Sequence, residues 1–225
     1  MTVLHLADET EAADLAAFLS RLLHYDRGAA VRLQAAGTAL AVFGRPPSFE
    51  VLAVRAVRLA KPYEDGLDVT LDVTVSAGEL LESVDERAAT AAVPAAVTGP
   101  PWAGVLPPRA GWRAEPGLPA PDALRATVAA AVAEFRSRTG ELAPEGRTRA
   151  ELDRIGRDIW SRHVGGTGLP VRAVHAAQSL GFLRPGAGPG DAGLFSSGAW
   201  LRLRTPYGSV AVRRSGLGSF GISVR

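Results

Sequence analysis

The chain of 225 residues contains no cysteine and no asparagine, a single lysine (Lys61), and four histidines, His5, His24, His163 and His175. Without cysteine there is no disulfide framework, no thiol nucleophile and no thiolate zinc site. No apolar run approaches the ~18 residues that a membrane-spanning helix requires. Met1 to Leu6 carries no basic segment and runs straight into Asp8, Glu9 and Glu11, which does not read as a secretory leader. Cytoplasmic residence is therefore the expectation.

What the chain does contain is apolar residues at 47% and charged residues at 21%, the composition of a folded globular protein with one large or two small domains. Abundant alanine, arginine, glycine and proline with one lysine reads as the codon bias of a GC-rich bacterial genome, so the arginine content alone does not point to nucleic acid. The formal charge is only +2, but its distribution is uneven. Residues 1–100 hold 8 basic and 14 acidic side chains, whereas residues 101–225 hold 17 and 9. No acid follows Asp191, while Arg202, Arg204, Arg213, Arg214 and Arg225 do. Such a basic tail either docks on the acidic first half or meets an external acidic partner.

Hydrophobic periodicity gives an α+β fold: an N-terminal antiparallel sheet with flanking helices, then a helical unit ending in a β-hairpin. Asp8 with Glu11 opens a helix whose Leu15, Phe18, Leu19 and Leu22 share a face. Strands are expected over 30–35 and 38–43, joined at Gly37, then over 49–59 and 69–75. The third of these is apolar on both faces, as a central strand is, and a buried Arg55 within it would need a carboxylate partner. In the fourth, Val69, Leu71, Val73 and Val75 alternate with Thr70, Asp72 and Thr74, a half-solvated pattern. Ser76 with Glu79 opens a short second helix. Residues 1–93 are thus read as one antiparallel α+β domain, and the lack of strand–helix alternation argues against a dinucleotide-binding sheet.

Eight of the sixteen prolines fall between Pro94 and Pro121. Residues 94–120 are a connector, and Trp102 and Trp112 within it are expected to pack, strapping it across the molecule. Residues 121–225 open with a helix at Pro121, a second at the capping box Thr148–Glu151, and a third begun by Pro170 and stopped at Gly181. A glycine-rich loop over 184–193 leads to hairpin strands over 199–204 and 210–214. Three helices followed by a hairpin is the element order of a winged helix. The segments "GTALAVF … LAVR" and "GAWLRLR … VAVR" echo each other as two hairpins of similar composition.

Motifs for chemistry are thin. Gly216, Gly218 and Gly221 spell G-x-G-x-x-G but leave no room for the helix that would receive a pyrophosphate. The glycines 186, 188 and 190 lack the Lys-Ser/Thr of a phosphate loop. There is no nucleophile elbow. His24 and His163 sit at expected helix ends, where the dipole favours them; His175 has no second ligand at i+4. The pairs Glu64-Asp65 and Asp85-Glu86 read as solvated charge. No catalytic residue, metal ligand or cofactor is assigned. The binding candidates are arginines: Arg202 and Arg204 alternate with Leu201 and Leu203, Arg213 with Val212, so all three can share one outward face; Arg172 on the third helix and Arg214 complete the set. The expected function is a non-catalytic binding or adaptor protein with an unnamed protein partner. Nucleic-acid binding by the winged-helix-like unit is the alternative, and an enzyme of unrecognised class is the third reading.

Overall fold

A computed structural model describes residues 2–63, 70–186, 188 and 190–214. In chain order its elements are β1 (Val3–His5), α1 (Glu9–Tyr25), β2 (Ala30–Ala36), β3 (Ala39–Gly44), β4 (Leu52–Arg58), β5 (Thr70–Ser76), α2 (Ala77–Glu82), β6 (Val84–Asp85) and β7 (Thr90–Ala92). There follow β8 (Arg113–Glu115), α3 (Pro121–Gly140), α4 (Arg149–Trp160), α5 (Val171–Ser179), β9 (Gly193–Ser197), β10 (Trp200–Thr205) and β11 (Gly208–Arg213).

The three N-caps form as their sequences require. Asp8, Ser76 and Thr148 each accept a hydrogen bond from the amide three residues on, at Glu11, Glu79 and Glu151, which satisfies a donor that the first helical turn leaves free. Gly37 turns β2 into β3 at φ 56°, a conformation that costs glycine little. The strand expected over 49–59 starts later: Pro47–Phe49 forms a 3-10 turn ended by Glu50 at φ 52°, and pairing begins only at Leu52. His163 lies beyond α4 and not at its end; it forms a backbone bridge to Pro170.

Strand pairing is antiparallel throughout. The small strands make a sheet in the order β1-β7-β6, and the rest make one eight-stranded sheet in the order β5-β2-β3-β4-β11-β10-β9-β8. Its seam is the pairing of β4 with β11, where Leu52, Ala53 and Val54 face Ala211, Val210 and Ser209. Each is the closing strand of its own hairpin, so the two echoing sequence segments meet there edge to edge. The basic C-terminal hairpin thus docks on the first half of the chain through its backbone.

Helices cover one face of this sheet. Phe18, Leu22, Leu33, Leu40, Val42, Val57, Val174, Ala177, Leu203 and Val210 belong to one buried cluster that runs from α1 to α5. Alternation fixes the complementary set on the other face: Arg32 and Gln34 on β2, Ala39, Ala41 and Phe43 on β3, Leu52, Val54 and Ala56 on β4, Ser209 and Arg213 on β11, Arg202 and Arg204 on β10. Among the described residues no α-helix packs there. The connector does: Trp102 and Leu106 sit on Phe43, Leu52 and Val54 as a separate small cluster.

Candidate functional site

The connector is tied to the sheet at both ends. Near its start, the Val97 amide donates to the Thr74 carbonyl at 2.9 Å, extending the β5 edge. The Arg32 guanidinium donates to the Ala103 carbonyl and, from Nε and Nη2, to both oxygens of Asp72 at 2.7 and 2.9 Å. That fork raises the Arg32 pKa and lowers the Asp72 carboxyl below its ordinary range, chiefly through the hydrogen bond itself. Near its end, β8 pairs with β9. Between these ties the chain spans the sheet face and walls two clefts.

The first cleft, about 460 Å³, lies between β5 and β4, with Ala39, Ala41 and Ala56 in its floor and Leu106, Pro107 and Arg109 in its wall. The second, about 520 Å³, continues over β11 to β9 and is lined by Arg202, Arg204, Ser209, Phe195 and Asp191. They share Val54, Ala56 and Arg202, so they form one groove across the strands. The alanine floor follows from residue size: β3 and β4 place Leu40, Val42 and Val57 on the helix side, and on the other side the methyl groups of Ala39, Ala41 and Ala56 leave room beside the larger Phe43, Leu52 and Val54.

Arg202, Arg204 and Arg213 come together on this open face. Arg202 is held: its Nε donates to Ser209 Oγ at 2.9 Å, and its guanidinium lies 5.6 Å from the Trp112 ring centre. Burial, and secondarily the charge of Arg204, lowers the Arg202 pKa. Arg204 is exposed, and Arg213 lies over Trp200 at 5.2 Å. Arg172 and Arg214 are elsewhere. Arg172 sits on α5 beside Glu50 at 3.7 Å. Arg214 pairs with Glu115 at 2.8 Å, and the Glu115 carboxyl is held low by hydrogen bonds from Ser196 and Arg214.

α5, the third helix of the C-terminal unit, buries Val171, Ala173, Val174, Ala176 and Ala177. Its His175 is stacked on Trp160 at 4.8 Å with the Phe49 edge at 5.0 Å, and burial lowers its pKa. Little of this helix is left to enter a nucleic-acid groove. Among the described residues no group of three His, Cys, Asp or Glu side chains is placed to hold a metal ion, and no helix is long and apolar enough to cross a membrane. The G-x-G-x-x-G at 216–221, Arg225 and the Glu64-Asp65 pair lie outside the described residues.

The sequence reading did not anticipate Arg109, Gln34, Asp72 or the alanine floor. The signal was there: Ala39, Ala41 and Ala56 alternate with larger residues, Leu40, Val42, Arg55 and Val57, which marks a strand face with room above it.

An antiparallel α+β sheet with one face helix-covered and the other grooved and strapped is therefore the class of structure in hand. By sequence, residues 1–104 match the family model of a domain of unknown function (DUF8010), and residues 107–217 match that of a second (DUF8185). The two matches meet inside the strap. No curated protein and no solved structure matches the chain.

Proposed function

We propose that the chain is a non-catalytic binding protein of the cytoplasm that receives a segment of a protein partner in the groove on the open face of its sheet. The observation that carries this reading is the groove itself: a concave strip across the strands, part apolar and part cationic, on the face that no α-helix covers among the described residues. Concavity with a few convergent polar groups is what binding sites share. In this reading the regions 1–93 and 121–225 act as one receptor, the first supplying the floor and the second the arginines, and the connector 94–120 is the wall between groove and solvent.

The test is photo-crosslinking in cells. A benzoylphenylalanine at position 56, in the groove, should give a discrete protein adduct that the same group at Arg136, exposed on α3, does not. Equal adducts at both positions, or none at 56, would refute the reading. Nucleic-acid binding is the second reading, supported by the shared face of Arg202, Arg204 and Arg213. It requires duplex binding whose affinity falls steeply between about 50 and 200 mM salt, with a log–log slope near −3 if all three arginines meet phosphates; fluorescence anisotropy measures it.

A further inference from the structure

We propose that the partner segment is an extended acidic peptide of about nine residues, lying across the strands with one carboxylate gripped between Arg202 and Arg204 and its apolar neighbours on the alanine floor. This rests on reading the open face as the receptor.

Length comes first. From β5 to β9 the groove crosses six strand spacings, each of about 4.8 Å, or roughly 29 Å in all; an extended chain advances about 3.3 Å per residue. Both clefts are partly open to solvent, which suits a chain laid in beside the connector and not a compact molecule enclosed on all sides.

Charge decides the chemistry. Of the two carboxylates that line the groove, Asp72 is charge-paired, accepting from Arg32 and Gln34, while Asp191 Oδ2 accepts the Gly188 amide at 2.6 Å, which leaves two arginines against one aspartate. The arginines are not matched in the same way. Arg202 has a neutral hydroxyl and an aromatic ring, and among the described residues Arg204 has no carboxylate within ion-pair distance. Two residues apart on one strand face, their Cα atoms stand about 7 Å from each other, near enough for both side chains to reach a single carboxylate. Ser209 and Trp112 hold Arg202 in place beforehand, so a ligand loses little rotamer freedom in engaging it. Beside the pair, Val54, Ala56, Ala41 and Leu106 offer apolar contact, which fits side chains next to an acid better than a bare polyanion.

The experiment uses the full chain and a displayed library of random nonapeptides. Clones are selected, sequenced, and measured against four proteins: the native sequence, Ala56→Trp, Arg202→Gln/Arg204→Gln, and Arg204→Glu. Expected is enrichment of Asp or Glu flanked by apolar residues, binding lost in Ala56→Trp, weakened about tenfold or more in the double variant, and a switch of selected clones towards Lys or Arg on Arg204→Glu. That charge switch is a result that mere misfolding does not produce. If clones are displaced by Ala56→Trp yet show no acidic preference, or acidic clones ignore Arg204→Glu, the acidic-peptide inference is overturned and the receptor reading stands. If no clone is sensitive to Ala56→Trp, both fall.

Discussion

The two faces of the eight-stranded sheet each hold an arginine near the β4–β11 seam, and the molecule treats them differently. On the helix side, Arg55 is 5% exposed. Its Nη2 donates to Glu11 and Asp14 of α1 at 2.8 and 3.3 Å, and its Nη1 to the Tyr207 carbonyl at 2.9 Å. Arg184 joins the same knot, donating to Asp14 at 2.6 Å while its guanidinium lies 3.7 Å above the Tyr207 ring. On the open side, Arg202 has burial without a carboxylate. A charge buried for structure comes with its counter-charge built in, because an uncompensated one costs several kcal/mol. A charge kept half-buried beside a like charge and with no counter-charge is poised for an anion from outside.

Breaking the Arg55 knot should have the largest effect. Arg55→Met leaves two carboxylates under the helix, but Glu11 keeps Arg58 and Asp14 keeps Arg184. The expected loss is therefore about 3 kcal/mol, the low end for a broken buried pair, read as a fall in the urea midpoint. A smaller effect sharpens the contrast through pH. Because burial against Trp160 and Phe49 lowers the His175 pKa in the folded state, its contribution is complete above the unfolded value of 6.5 and is lost as pH falls through the lower folded value. The native chain should lose stability as pH falls from 6.5 towards that lower value, and His175→Phe should lose less over the same range; identical pH profiles would remove the histidine from the account. The smallest effect belongs to the open face: Arg204→Gln should change unfolding free energy by no more than about 0.5 kcal/mol. If it matched Arg55→Met, the distinction between the faces would collapse.

Much of the fold was legible because local chemistry carried it. Capping boxes marked the starts of α1, α2 and α4, strict alternation marked β5, and the need of Arg55 for a carboxylate was evident from its place in an apolar strand. Strands of two or three residues, β1, β6, β7 and β8, have no period to detect, and β9 (Gly193–Ser197) is disguised by glycine and serine at the end of a glycine-rich loop. The seam was invisible for another reason. A pairing between β4 and β11 is set by tertiary packing over a long sequence separation, and nothing local in either strand names its partner. The same gap hid the groove, whose floor comes from one half of the chain and whose arginines come from the other. Three of the five arginines singled out by sequence, Arg202, Arg204 and Arg213, do share a face. Arg172 and Arg214 go instead to Glu50 and Glu115, partners that no spacing rule would pick.

The seam also sets a timetable for biosynthesis. Val54 pairs with Ser209, so about 155 residues must follow β4 out of the ribosome before its partner strand exists; at roughly 5–20 residues per second that is on the order of ten to thirty seconds. Throughout that interval Leu52, Ala53 and Val54 form an unpaired, apolar strand border, the kind of surface that recruits other nascent chains. The first half of the molecule is thus born with a sticky margin that its own last hairpin closes, and the connector, which lays Trp102 and Leu106 over Leu52 and Val54 before β11 is made, can serve in the meantime as a built-in guard.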